Sequence, residues 1–326
     1  MWSMSNITWV GRNNPVMTST STLQETLAPD EAFAVLGDET RIEILQVLGK
    51  SDDPLSFTAL RDAVGIRQGG QFNYHLNKVV GHFVTKTDDG YELRQPGRRV
   101  VEAVLSGAVT HDPELEPTDV DYECLLCGAS IQVSYRSERV ELYCTACSGQ
   151  YGRRVAERES SFDRSGGYLG GYQIPPAGVD GRSPYGLLEA ASLWSHLENI
   201  ALANGLCLRC GAIVNISITV CEDHDRSEGL CGTCDNRHAI QVEQSCENCQ
   251  FTRRGMAINI LAAKLELRRF VAEQGIDPIV GGYKWGWDCD EQVHSVDPFR
   301  ADFTFEVGAE SITLHTGEDL EVLAVT

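Results

Sequence analysis

Ten of the twelve cysteines in this chain fall into five C-x-x-C pairs, at positions 124/127, 144/147, 207/210, 231/234 and 246/249, and Cys221 with His224 forms a sixth knuckle. Ligands spaced this way on a tight turn grip a metal ion from one side. The middle of the chain is therefore limited to folds that bring knuckles together in pairs. No apolar run approaches the roughly 20 residues needed to cross a membrane, and the N-terminus lacks the basic and apolar regions of a signal peptide. The expectation is a cytoplasmic protein without membrane association, in which such pairs are metal knuckles rather than disulfides or redox motifs.

The first array, "YECLLCGASIQVSYRSERVELYCTACSGQYG", places sixteen residues between its two knuckles. "SIQVSY" and "VELY" read as strands around the turn "RSER", so the hairpin returns Cys144 and Cys147 to Cys124 and Cys127. Four thiolates then close one tetrahedral zinc site, which stands in for a core in so small a unit. A zinc ribbon is expected over residues 118–155.

The second array, from Cys207 to Cys249, holds eight ligands for two zinc ions: Cys207, Cys210, Cys221, His224, Cys231, Cys234, Cys246 and Cys249. "GAIVNISITV" has no turn in its middle, and a strand of about eight residues spans roughly 26 Å, so it cannot return to its own knuckle. This favours an interleaved pairing, Cys207/Cys210 with Cys231/Cys234 and Cys221/His224 with Cys246/Cys249. A sequential pairing, or one ordinary ribbon without the Cys221/His224 knuckle, stays open. His238 and Cys289 fall at no ligand spacing, and Cys289 reads as a small packed residue.

Ahead of the knuckles, residues 30–106 read as helix, helix, helix, hairpin, helix. "GDETRIEILQVLGK" carries Ile42, Leu45 and Leu48 on one face, and "SFTALRDAVG" has Ser56 as N-cap and Gly65 as stop. "RQGGQFNYHLNKVVG" follows after a short turn, and Asp89-Gly90 signals a two-residue hairpin turn. With Phe72, Leu76 and Val79 as the buried stripe, the helical period turns Arg67, Gln71, Tyr74, Asn77 and Lys78 outward, and His75 reads as half-buried. Arg and Gln suit base edges, while Tyr, Lys78 and Lys86 suit phosphate. Residues 67–99 hold six basic side chains against three acidic ones, in a chain whose net charge is -20. A basic window in so acidic a chain is what contact with double-stranded DNA requires.

The order of elements is that of a winged helix-turn-helix. "LGDETRIEILQVL" and "FNYHLNKVVG", with the hairpin after them, resemble the ArsR-type winged helix regulators, in particular those of haloarchaea. The resemblance covers residues 31–105 and implies sequence-directed DNA binding by a homodimer. The segment matching that family's cysteine-bearing sensor motif, "FTALRDAVG", contains no Cys, so metal sensing there is not implied. The 47 acidic against 27 basic residues, with Lys only at 50, 78, 86, 264 and 284, likewise resemble halophilic proteins. At molar salt the Debye length is about 3 Å, which shifts the burden of recognition to hydrogen bonds from Gln71 and Asn77.

The expected architecture is α+β, with enough chain for two or three domains. A disordered extension covers residues 1–29, with Met17 a possible start, and the winged helix covers 30–106. The zinc ribbon at 118–155 is followed by a Gly/Pro-rich linker at 156–182. An effector or dimerisation domain at 183–326 is built from two long helices, the double-zinc unit and a tail of three strands with turns at Gly308 and Gly317. The first helix, capped by Ser183-Pro184, presents Leu187, Ala191, Trp194 and Leu197. The glycines of the linker do not match a phosphate loop, as no G-K-[ST] follows them; no H-E-x-x-H or G-x-S-x-G occurs, nor does the H-x-E with P-C-x-x-C pair of zinc deaminases, so no enzyme is expected. The function expected is a DNA-binding transcriptional regulator. The competing expectation is a general transcription component that contacts the transcription machinery through its winged helix and ribbons.

Overall fold

A computed structural model describes residues 5–8, 27–152, 156, 167–225, 227, 229–279 and 289–326. The sequence readings that fall elsewhere, among them the possible start at Met17, lie outside the described residues. The fold is mixed α and β with antiparallel sheets, and it divides into two compact units, Pro15–His111 and a second formed by Met1–Asn14 with Asp112–Thr326. No helix among the described residues is long and apolar enough to cross a membrane.

In the first unit, α1 (Pro29–Leu36), α2 (Glu39–Gly49), α3 (Phe57–Val64) and α4 (Gly69–Val79) are followed by strands β2 (Val84–Lys86) and β3 (Tyr91–Leu93) and by α5 (Gln95–Leu105). Local signals set the boundaries. Asp38 caps α2 through the N–H of Arg41, Ser56 caps α3 through the N–H of Ala59, and Gly65 ends α3 in the left-handed region. The α2 stripe is Ile44, Leu45 and Leu48, with Ile42 only half-buried, so the face is rotated from the expected one. It packs with Leu60, Phe72, Leu76, Val79 and Val101 into one core.

The hairpin turn sits one residue earlier than expected, at Asp88-Asp89, closed by the Thr87 N–H on the Gly90 carbonyl at 2.7 Å. Gly90 is needed just after it: its φ is 146°, and a Cβ there would stand 2.5 Å from the Leu55 carbonyl oxygen, because Leu55 pairs with Tyr91 as a third strand.

In the second unit, β4 (Leu115–Glu123), β5 (Ser130–Arg136), β6 (Arg139–Cys144) and β7 (Tyr168–Gln173) form one sheet in that order. Ser137 and Glu138, both left-handed, make the tight β5–β6 turn. Residues 156–182, expected as a linker, thus contribute a strand. Tyr168 and Leu169 are buried and bring β7 onto β6. Helix α6 (Pro184–Ala203) starts at the Ser183 cap as expected and buries Leu187, Leu188 and Ala191 in the core of this sheet. Its far face differs from the sequence reading: Trp194 and Leu197 are 51% and 48% exposed, and Ser195, Glu198 and Leu202 take the inner positions instead. The expected ribbon and effector domains accordingly share one compact unit.

A second sheet has the order β1 (Ser5–Thr8), β8 (Val214–Val220), β9 (Ile240–Cys246), β10 (Thr252–Met256), and a third the order β11 (Asp290–Val296), β12 (Phe299–Val307), β13 (Glu310–Thr316), β14 (Val322–Val325). β1 departs from the expected disordered extension: Ser5–Thr8 pair antiparallel with Ser217–Val220 and cover the otherwise open edge of β8. The expected second long helix is split into α7 (Ile258–Leu261) and α8 (Leu265–Glu273) by extended backbone at Lys264. Ile258, Ile260 and Leu261 are all buried, so α7 has no single apolar stripe, and it joins Phe299, Phe303, Phe305 and Leu314 in a core shared by the two sheets.

The two faces of α4 should respond differently to truncation. Leu76→Ala removes a fully buried side chain and should destabilise the first unit by about 2–5 kcal/mol. Tyr74→Ala, on the 56% exposed face, should change stability by less than about 0.5 kcal/mol. Thermal unfolding of the full chain checks both.

Candidate metal centres and nucleic-acid face

Each candidate metal cluster contains a turn that aims two sulfurs the same way. In the first, the Cys124 carbonyl accepts the Gly128 N–H at 2.7 Å; in the second, the Cys207 carbonyl accepts the Gly211 N–H at 2.7 Å; in the third, the Cys231 carbonyl accepts the Asp235 N–H at 2.8 Å. The residue after the second cysteine is left-handed in all three, and Gln250 repeats this after Cys249.

Cys124, Cys127, Cys144 and Cys147 meet as the sequence implies. Cys124 and Cys147 Sγ are 3.8 Å apart, and Cys127 and Cys144 Sγ 3.4 Å. Bonds of about 2.3 Å to a tetrahedral ion put sulfurs about 3.8 Å apart, so the four thiols fit one metal ion.

The eight ligands of the second array also assemble, but the partners differ from those expected. Cys207 and Cys210 join Cys246 and Cys249, while Cys221 and His224 join Cys231 and Cys234. The pairing is nested, neither interleaved nor sequential. The sequential pairing, left open by the sequence, is not the one formed: β8 and β9 carry their knuckles to opposite ends. The antiparallel register of β8 with β9 decides the rest, because Val214 lies opposite Cys246 and Val220 opposite Ile240. The outer knuckles therefore meet at one end of the hairpin and the inner ones at the other, about 20 Å away at strand rise. In the outer cluster, Cys207–Cys249 and Cys210–Cys246 are 3.7 and 3.4 Å apart. In the inner one, His224 Nδ1 lies 3.4 Å from Cys234 Sγ, and its Nε2 lies 3.2 Å from the Arg237 carbonyl. A proton on Nε2 donates to that carbonyl and leaves the Nδ1 lone pair for a metal, the usual second-shell arrangement.

Electrostatics within the clusters favours a cation. Burial opposes ionisation of Cys144, but the N–H groups of Ala146 and Cys147 outweigh it and bring the thiol to about 7. The Ala212 N–H lowers Cys210 to about 6. Burial of Cys231 is likewise outweighed, by the N–H groups of Asp225, Cys234 and Thr233, which bring it to about 6. Burial and then the charge on Cys234 push Cys221 up to about 12. Each cluster thus holds one thiol whose ionised form its backbone N–H groups favour, which suits a bound cation.

His238, Cys289 and Glu291 form a further group, with ligand atoms within 4.8 Å of one another. The sequence reading missed it, because its members lie about fifty residues apart on different sheets. His196-Leu197-Glu198 spells H-x-E, but Glu198 is bonded to Arg253 at 3.0 Å, and neither residue belongs to a cysteine cluster among the described residues. These residues lie near a cavity of about 470 Å³ between β7, α6 and β10, lined by Arg139, Tyr172, His196 and Arg253 among others. Arg253 is also held by Asn199 at 2.8 Å.

On α4, Phe72, Leu76 and Val79 are buried, while Gln71, Tyr74, Asn77 and Lys78 are exposed, as are Arg67 in the turn before the helix and Lys86 on the hairpin. The Lys78 ammonium lies 5.8 Å over the Tyr74 ring, and Lys86 stands equally far over Tyr91. His75 is half-buried and reaches Asp38 at 3.2 Å, tying α4 to the start of α2.

Residues 121–322, more than half of the chain, match a family described as a domain of unknown function, DUF7351. The chain belongs to this family. Residues 29–104, from α1 almost to the end of α5, match a second domain of unknown function, DUF7347. The family match begins at 121, near the end of strand β4 and just before the first knuckle, so it takes in all three four-ligand clusters, β7 and α6 together. No curated protein matches the chain.

Double substitutions distinguish the nested pairing. Cys207→Ser with Cys249→Ser should cost one metal ion per chain, and Cys207→Ser with Cys234→Ser should cost two, as counted by native mass spectrometry. Interleaved pairing predicts the reverse.

Proposed function

We propose that the chain is a sequence-specific DNA-binding transcriptional regulator of the ArsR type. Its first unit acts as a winged helix whose recognition helix is α4 and whose wing is the β2–β3 hairpin. The observation that carries this reading is the outward face of α4 and the turn before it: Arg67 in the turn and Gln71, Tyr74, Asn77 and Lys78 on the helix all stand in solvent, over a stripe that is fully buried, with Lys86 on the hairpin. The start of α4 supports it. Gln68 supplies no side-chain cap, and no described atom lies within 4 Å of where a Cβ would stand on Gly69 or Gly70. The free N–H groups of the first turn are thereby open to a phosphate group.

In this reading Gln71 and Asn77 read base edges, Arg67 reaches a base edge or phosphate, and Tyr74, Lys78 and Lys86 fix the helix against the backbone. The three four-ligand clusters hold zinc, and all four positions of each are taken by the protein, which suits a structural role and not catalysis. The active form is a homodimer working in a salt-rich cytoplasm, as in the regulators it resembles.

One observation favours a second reading, a polymerase-associated or general transcription component. Leu206, Leu208 and Ile213 around the outer cluster, and Trp194 and Leu197 on α6, are exposed apolar side chains of the kind that contact proteins.

Genome-wide occupancy at native salt, beside a Gln71→Ala/Tyr74→Ala control, separates the readings. Discrete peaks sharing an inverted repeat and lost in the control are expected of the regulator. Diffuse signal at most promoters, indifferent to the control, would favour the polymerase-associated reading. On the operator so defined, Gln71→Ala alone should cost about 1–3 kcal/mol of binding at one base position while leaving non-specific binding unchanged. Equal loss on every sequence would sink base reading by Gln71.

A further inference from the structure

His238 lies at the head of β9, four residues after the inner cluster's last ligand, Cys234. Cys289 and Glu291 lie at the head of β11, in the other sheet. The chain has no reason of spacing to bring them together. The shared core does so, and the three side chains are almost wholly enclosed: Cys289 is 5% exposed, and the side chains of His238 and Glu291 are 1% and 7% exposed.

We infer that His238, Cys289 and Glu291 form a fourth metal site, which takes a divalent transition ion of borderline softness and joins the second sheet to the third. Three observations carry the inference. The first is donor chemistry: an imidazole nitrogen, a thiol sulfur and a carboxylate oxygen, all within 4.8 Å, suit Zn(II), Co(II) or their neighbours and do not suit Ca(II) or Mg(II), which take oxygen alone.

The second is distance. His238 Nδ1 and Glu291 Oε1 stand 3.3 Å apart. Two ligands bound at about 2.0–2.1 Å to a tetrahedral ion stand about 3.3 Å apart, so this pair already spans one edge of a coordination tetrahedron.

The third is the carboxylate. Glu291 Oε2 is committed, accepting the backbone N–H groups of Ala239 at 2.9 Å and Ile240 at 3.2 Å at the start of β9. Oε1 is buried and makes no hydrogen bond among the described residues, although the imidazole Nδ1 stands beside it. A carboxylate oxygen buried beside a neutral imidazole lacks a compensating charge, and a cation between the three groups supplies one.

The site differs from the other clusters. Among the described residues it has three protein donors of three chemical kinds, where each of the other clusters has four. Its single thiolate also gives it a different spectrum when loaded with cobalt.

The test counts metal ions per chain in the full-length protein, by native mass spectrometry and elemental analysis after growth in zinc. Four ions are expected in the wild type and three in Cys289→Ala and in Glu291→Gln. The Gln variant keeps an amide oxygen for the Ala239 and Ile240 N–H groups, so the head of β9 stays capped while Oε1 is replaced. Three ions in the wild type, or four in a folded Glu291→Gln protein, would overturn the site and leave a hydrogen-bonded trio. Cobalt titration of the metal-free wild type keeps the inference testable should both variants misfold. Four equivalents should bind, one of them with the charge-transfer intensity of a single thiolate, and saturation at three equivalents would count against the site.

Discussion

The hydrogen-bonded register of β8 against β9 is the constraint on which the second unit depends. Val214 opposite Cys246 and Val220 opposite Ile240 fix both ends of one hairpin at once, and each end closes a four-ligand cluster. A shift of one residue would flip every side chain of a strand to the other face and pull the knuckles at both ends out of reach. The same register turns Ile218, Val220, Ile240 and Val242 into the core shared with β11–β14. Metal chemistry and apolar packing therefore ask for the same alignment, the kind of agreement between levels that specifies one fold.

Much of this was legible in the sequence because it is local. The ligands themselves, the caps at Ser56 and Ser183, the stop at Gly65 and the buried stripe Phe72, Leu76 and Val79 all follow from spacing within a few residues, and all are found where the spacing puts them. The three strands of the tail, ending at Gly308 and near Gly317, belong with them. What escaped is long-range. Which knuckles pair is a question of strand register. The strand in "GGYLGGYQ" hides behind glycines that normally mark a loop. The addition of Ser5–Thr8 to β8 joins residues more than two hundred positions apart. Trp194 and Leu197 mislead for a different reason: they sit at helical spacing from Leu187 and Ala191, yet the sheet takes the neighbouring stripe through Leu188 and Ser195. The trio of His238, Cys289 and Glu291 carries no motif at all.

The charge distribution sets the terms on which the proposed DNA contact works. A chain of net charge -20 repels a polyanion at low salt, and the locally basic stretch from Arg67 to Arg99 offsets this only nearby. In concentrated salt both effects fade within a few ångströms. The neutral donors of α4 and the open first turn at Gly69 and Gly70 keep their directionality there. The Lys78–Tyr74 and Lys86–Tyr91 contacts also hold two of the few lysines of the chain against rings, which limits the side-chain freedom lost on binding.

Nesting has a kinetic consequence. The inner ligands, Cys221 to Cys234, enclose a loop of 14 residues, and the outer ones, Cys207 to Cys249, a loop of 43. Closing the shorter loop first is entropically cheaper by about 1 kcal/mol. Once it is closed, β8 and β9 lie side by side and can pair from that end, so the distant knuckles arrive together without a separate search. An interleaved arrangement would have required each loop to close across the other. With metal in both clusters, the nested one would let the hairpin assemble from its tip, the inner ion as the nucleus and the outer ion as the lock.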